Sequence, residues 1–256
     1  MLSNYIKANL FIVSQHLLLQ EIVFKGRVNL RNIINFLDRN WIRSLGNVLC
    51  KHYYPQYRRI DTVNIKALQT DYGVFHYSKA LQEFPDVFAQ IREYCVSDLQ
   101  PNDVVLDIGA NIGAFTILAA KKVKHVVAIE PLFYVELQVN IALNRLNNVN
   151  CMSVALGSGK AIEIDFCNKK QTVKTMGFKE IVKCMPAAPT VLKIDCEGGE
   201  WCLQPQDFEG IRIVEAEIHN FNKRDPHDFK NMLLNLGYAC EYTMTPDGQM
   251  MLHARK

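Results

Sequence analysis

From about Pro101 onward, short apolar runs alternate with longer amphipathic ones. "DVVLDIG" is apolar up to a single acid, the pattern of a strand buried on both faces of a parallel sheet. "NIGAFTILAAKK" reads as a helix, and "HVVAIEP" as the next buried strand, closed by Pro131. "FYVELQVNIALNRL" is a helix with Tyr134, Leu137 and Ile141 on one face. "VNCMSVALGSG" predicts a third strand running into glycine-rich turn chemistry, and "PTVLKIDCEGGEW" and "IRIVEAEIHNF" predict two more. A helix follows with Asp225 as N-cap and Pro226 in its first turn. Phe229, Met232, Leu233 and Leu236 form its apolar stripe, and Gly237 ends it. "YACEYTM", a "TPDG" turn and "QMMLHAR" close the chain as a hairpin, so the last strand runs antiparallel. Strand–helix alternation of this kind predicts an α/β fold, a doubly wound and mostly parallel sheet.

Ligands of such sheets bind beyond the carboxyl ends of the strands, where the strand order reverses. The chemistry-bearing residues fall at those ends: Asp107 and Gly109, Glu130, Ala155 and Leu156, Asp195 and Glu197, then Glu217 and His219. Four acid-bearing strand tips in one sheet are hard to explain as a solvated surface. In the loop after the first strand, Gly109 and Gly113 are read as making room for a ligand against the backbone. A dinucleotide fingerprint would want glycine where Asn111 stands, and Asp107 would repel a pyrophosphate. A ligand with positive charge and hydroxyls suits the set better. S-adenosylmethionine (SAM), with its ammonium, sulfonium and ribose diol, is such a ligand, and Glu130 is expected to accept from the ribose hydroxyls. Neither a G-x-x-x-x-G-K-[ST] loop nor a G-x-S-x-G elbow occurs, which argues against a nucleotide triphosphatase and an α/β-hydrolase.

The composition is that of a globular protein, 49% hydrophobic and 21% charged over 256 residues. Eight cysteines form no C-x-x-C pair and show no zinc-ligand spacing, so they read as reduced thiols of an intracellular protein. Charge is uneven: residues 1–60 hold nine Lys and Arg against Glu21 and Asp38, while the whole chain carries only +3. "ANLFIVSQHLLLQ" is uncharged but too short to cross a bilayer, and is a poor signal peptide. Ile6, Leu10, Val13 and Leu17 fall at helical spacing, as do Leu30, Ile33, Ile34, Leu37 and Trp41. The expected organisation is a basic helical extension over 1–60, a lid or connecting segment over 61–100, and the catalytic domain over 101–256. An extension helix packed on its own domain or a partner chain is the plainest reading. Membrane-surface contact through residues 1–24 and nucleic-acid contact are the alternatives. The expected location is the cytoplasm, with peripheral membrane association as the variant.

"VVLDIGANIGAFTILAA", "AIEP", "VALG", "LKIDCEGGEW" and "EAEIHNF" resemble, in order and spacing, the FkbM-type methyltransferases, a branch of the class I SAM-dependent methyltransferases. The resemblance covers roughly residues 95–220. Its most diagnostic piece is K-I-D-x-E-G-x-E, matched by Lys193, Ile194, Asp195, Glu197, Gly198 and Glu200. It implies a seven-stranded Rossmann-like sheet, with cofactor contacts from Asp107, Gly109, Ala110, Asn111, Gly113, Glu130, Pro131 and the Ala155–Leu156 backbone. It implies O-methylation of a hydroxyl on a small molecule, sugar or lipid-linked glycan. Asp195, Glu197 and His219 are the catalytic candidates, His219 as a base titrating near neutrality. A divalent metal on Asp195 and Glu197 is a lesser alternative. The acidic turn at "DCEGGEW" has no N-P-P-Y or D-P-P-Y loop to stack a target amine, which argues against N-methylation of a base. Lys169, Lys170, Lys174, Lys223 and Arg224 border the expected acceptor side, either to greet an anionic acceptor or simply as solvated lysines and arginine. RNA or protein acceptors, and a non-catalytic cofactor-binding partner protein, are the competing readings.

Overall fold

The computed structural model describes residues 58–61, 66–76, 94–166 and 169–256 of the chain. The N-terminal helices, and the membrane contact expected of residues 1–24, lie outside the described residues. Two compact units meet in sequence at Asp71 and Tyr72. The first contributes an antiparallel hairpin, β1 (Arg58–Asp61) with β2 (Lys66–Gln69).

The second unit is built on one sheet of seven strands. In chain order they are β4 (Val104–Ile108), β5 (His125–Ile129), β6 (Val149–Met152), β10 (Val191–Ile194), β11 (Ile213–Ile218), β12 (Ala239–Met244) and β13 (Met250–Arg255). Their spatial order is β12-β13-β11-β10-β4-β5-β6. β11, β10, β4, β5 and β6 run parallel, and β13 joins β11 antiparallel as half of the terminal hairpin. The chain steps outward from β4 to β5 and β6, then returns to the other side of β4 as β10 and β11. The order therefore reverses between β4 and β10, which is where ligands of such sheets bind.

Both faces of the central strands are apolar, as continuous runs require. On one face Val105, Val126, Val191 and Ile213 pack on Phe115 and Ala119 of α1 (Ala114–Ala120). On that face Ala128 meets Leu137 and Ile141 of α2 (Tyr134–Leu143). On the other, Leu106, Ile108, Leu192, Ile194, Val214 and Ala216 pack with Ile181 of α3 (Phe178–Lys183) and Phe229 and Leu233 of α4 (Pro226–Asn235). α4 has the signposted ends: the Asp225 carboxylate accepts the His227 N–H at 2.9 Å, and Gly237 follows at φ 87°. A short strand, β3 (Val74–His76), docks on α2, and the side chains of Asn140 and of Asn144, at the helix's C-terminal cap, satisfy its backbone.

One expectation is corrected. "VNCMSVALGSG" is not a single strand: β6 ends at Met152, and Ala155–Leu156 form a separate strand, β7. β7 leaves the main sheet and pairs in parallel with the end of β9 (Lys169–Met176), itself paired with β8 (Ala161–Phe166).

Candidate active site

The loop after β4 contains three left-handed residues in five: Gly109 (φ 79°), Asn111 (φ 52°) and Gly113 (φ 91°). The glycines are required by the protein's own packing. A Cβ on Gly109 would stand 1.7 Å from the Asp195 carbonyl oxygen, and one on Gly113 would stand 2.5 Å from Leu137 Cδ1. The expected room for a ligand is thus not the only reason for glycine here. Asn111 has a backbone reason too, since Asn tolerates the left-handed region better than most residues. Its Oδ1 accepts the Ile112 N–H at 2.7 Å. Ala110 is buried, its N–H bonded to the Ile129 carbonyl and its own carbonyl to the Gly113 N–H.

Glu130, just beyond β5, is buried and fastens this loop. Oε2 accepts the Asn111 N–H at 2.8 Å, and Oε1 accepts from Leu132 and Phe133 at 2.7 and 3.0 Å, across the turn at Pro131. A carboxylate has about four acceptor sites, so three backbone bonds leave one. Burial raises the Glu130 pKa against the pull of these donors.

Asp107 and Lys193 face each other in register across β4 and β10, both buried. Lys193 Nζ donates to the Gly109 carbonyl at 2.7 Å and lies 3.5 Å from Asp107 and 3.6 Å from Asp195. Tyr94 covers this group: its hydroxyl donates to Asp195 Oδ2 at 2.9 Å and its ring lies 5.3 Å from Nζ. Burial alone would lower the Lys193 pKa, but the two carboxylates outweigh it and keep the ammonium charged. Thr116, from α1, donates to Asp107 at 2.5 Å. Asp107 is thus wholly enclosed by protein groups.

Beyond β10 the chain turns sharply. Glu197 (φ 54°) and Gly198 (φ 98°) are left-handed, and the Phe221 ring packs where a Cβ of Gly198 would stand. The turn exposes Glu197 and buries Glu200. The Glu200 carboxylate receives the Gly198 N–H at 2.9 Å, the His219 N–H at 2.8 Å and His219 Nδ1 at 3.0 Å. On the far side of the ring, His219 Nε2 lies 3.4 Å from Glu197 Oε2. Asp195, Glu197 and His219 each place a ligand-type atom within 4.8 Å of the other two. The tips of β10 and β11 therefore bring these three side chains together.

The neighbours of His219 shift its titration upward from the neutrality expected of it. Burial would lower its pKa, but the hydrogen bond and charge of Glu200, then Glu197 and Asp195, raise it to about 9. Glu217 is the last residue but one of β11. Leu156 reaches the site's edge: its carbonyl oxygen is 3.2 Å from where a Gly199 Cβ would stand. Lys170 pairs with Glu163 on the exposed β8–β9 hairpin, and Arg224 lies over the Trp201 ring. Sequence reasoning misses Lys193 and Tyr94 as parts of the site, and places Glu200 in the cleft or in a helix's first turn without its bond to His219. A lysine inside the apolar run "VLKI" was the readable signal for the first, since buried lysines occur almost only when paired. Nothing near Tyr94 in the sequence pointed to it.

Residues 107–244 match the methyltransferase FkbM domain. The chain is 32% identical over 147 residues to the probable ribosomal RNA small subunit methyltransferase A of Methanosphaera stadtmanae, an alignment covering 57% of this chain and 48% of the relative. The chain thus spans about half the length of the curated relative it matches. Similar solved structures include a precorrin-6y C5,15-methyltransferase from Geobacter metallireducens, at 15% identity and TM-score 0.46, covering 71% of this chain and 93% of that one. An rRNA methylase from Streptococcus thermophilus aligns at 9% identity and TM-score 0.44, covering 70% and 98%. With more than half of its length matched, and with the matched span carrying the whole strand-tip constellation, the chain belongs to the FkbM methyltransferase family.

Proposed function

We propose that this protein is a SAM-dependent methyltransferase acting on a hydroxyl of a small molecule, sugar or lipid-linked glycan. The observation that carries the reading is that Asp195, Glu197 and His219 come together at the tips of β10 and β11, next to the switch point; we read them as the acceptor side and the loops after β4 and β5 as the cofactor side. SAM fits the residues present. The strand tips offer carboxylates, and Glu130 retains an unused acceptor site. Glu130 and the backbone of Gly109, Ala110, Asn111, Gly113 and Leu156 would hold it. Asp107 contributes indirectly, through Lys193 and the Gly109 carbonyl. When bound, SAM supplies a methyl group already activated on a sulfonium.

The chain's own task is alignment and proton removal. A hydroxyl is a weak nucleophile until its proton is taken. Glu197 is the most exposed of the three, with its side chain 85% accessible, and is the group an incoming hydroxyl meets first. Glu200 holds His219, and His219 in turn faces Glu197, so the cluster is fixed from behind. Glu130→Ala is expected to weaken SAM binding tenfold or more by calorimetry, the size of a lost charge-assisted contact. An affinity equal to the parent's would remove Glu130 from the cofactor side.

A second reading makes RNA the acceptor. It is favoured by the ribosomal RNA methyltransferase among the relatives and by the basic surplus of residues 1–60. The acceptor's response to salt separates the two.

A further inference from the structure

The imidazole of His219 is over nine-tenths buried, and among the described residues only its Nδ1 is hydrogen-bonded, while Nε2 is in ion-pair range of Glu197. Glu200 occupies Nδ1 and fixes the ring, so Nε2 is aimed at Glu197 and Asp195. A neutral ring with its proton on Nδ1 would set a lone pair against two carboxylates, which is repulsive. Something positive has to stand between them, either a proton or a metal ion.

The spacing bears on which. A charge-assisted N–H···O bond closes to about 2.7–2.9 Å. Here Nε2 and Glu197 Oε2 are 3.4 Å apart, although Glu197 is an exposed side chain. Ligands about 2.0–2.2 Å from a tetrahedral ion stand roughly 3.3–3.6 Å from one another. All three donor atoms lie within 4.8 Å, which suits one shared ion. Asp195 has an oxygen to give: Tyr94 and Lys193 both engage Oδ2, and Oδ1 accepts no hydrogen bond among the described residues. Behind the imidazole, Glu200 does what an outer carboxylate does for a metal-bound histidine, setting its tautomer and orientation.

We propose that Asp195, Glu197 and His219 bind one divalent first-row cation, with Glu200 as the positioning residue behind His219. One imidazole with two carboxylates is a donor set for Mn2+ or Zn2+, whereas Mg2+ and Ca2+ prefer oxygen alone. The inference rests on the acceptor-side reading above and deepens it: a cation there lowers the pKa of a hydroxyl brought to the cluster.

Mn2+ is the probe. The full chain, freed of metal by chelator and dialysis, is titrated with Mn2+ while the free ion is followed by electron paramagnetic resonance. One saturable site per chain is expected. Glu197→Gln and His219→Gln should each weaken it tenfold or more, and Glu200→Gln should weaken it about 10–100-fold, as outer-sphere partners do. Glu197 is exposed, so its variant keeps the test valid if a buried substitution unfolds the chain. Parent-like circular dichroism, and parent-like SAM affinity measured in chelator, serve as the folding check. Failure of SAM to bind the parent would overturn the methyl-donor reading, independently of the ion. No saturable Mn2+ site, or one of unchanged affinity in Glu197→Gln, overturns the cation site.

Discussion

Lys193 is the residue on which most of the site converges. It stands buried in the middle of the sheet, between two carboxylates and a loop carbonyl. Breaking a buried pair leaves an uncompensated charge, which costs about 3–5 kcal/mol. Lys193→Met is therefore expected to lower the unfolding free energy by roughly that amount, with denaturant titration as the check. A loss below about 1 kcal/mol would mean the pair is solvated. Gly109 makes a second residue-scale case. A Cβ there meets a backbone carbonyl, which cannot rotate away. Gly109→Ala should destabilise the chain markedly, by about 2 kcal/mol or more from strain and overpacking together. Gly113→Ala should cost less, because its obstacle is the end of the flexible Leu137 side chain. The sequence showed both glycines but not the reason for them. A glycine needed by a neighbouring strand and one needed by a ligand look identical until β10 is seen beside β4. Glu200 illustrates the opposite limit: an acid in a glycine-rich turn reads as projecting into the cleft or as the acid of a helix's first turn, and only the fold puts it under His219.

Among the elements, the sheet was the most legible part. Continuous apolar runs fixed β4, β5, β10 and β11, and the Asp225–Pro226 start and Gly237 stop fixed α4. β7 was not legible, because "VNCMSVALGSG" has no proline and no charge to mark where it leaves the sheet; its break is set by pairing with β9, whose partner residues are twenty positions on. The entry to β11 carries an element-scale prediction. Arg212 binds Asp103 through two nitrogens and donates to the Asp98 carbonyl at 2.8 Å, tying the start of β11 to the start of β4. Burial would raise the Asp103 pKa, but the Arg212 hydrogen bonds and charge, with Gln100 and Thr190, lower it overall. A lowered folded pKa means the stabilisation is present above the unfolded value, about pH 4, and is lost as pH falls through the folded one. Asp103→Asn should therefore melt below the parent at pH 7, and the gap should narrow as the pH is taken below about 4. A gap independent of pH would deny the pair its role.

At the scale of the whole molecule, the chain is a catalytic-type sheet joined in sequence to a strongly basic N-terminal stretch. The two readings of the acceptor differ in what that stretch does. A small hydroxylated acceptor bound at the strand tips predicts a KM nearly flat in salt. An RNA held by several phosphates predicts affinity falling by orders of magnitude between about 50 and 200 mM salt. The cation site adds a condition to both, since a chelator should then depress methyl transfer without displacing SAM. These outcomes hang on one claim, that the tips of β4, β5, β10 and β11 form a methyl-transfer site for a hydroxyl. The measurement that reaches it most directly is incubation of the full chain with methyl-labelled SAM and fractionated cell extract, with Glu197→Gln alongside. The account predicts label in a small-molecule, glycan or lipid-linked fraction, on oxygen, and about a hundredfold less of it with the variant. Label confined to RNA or protein, or equal labelling by the variant, would contradict it.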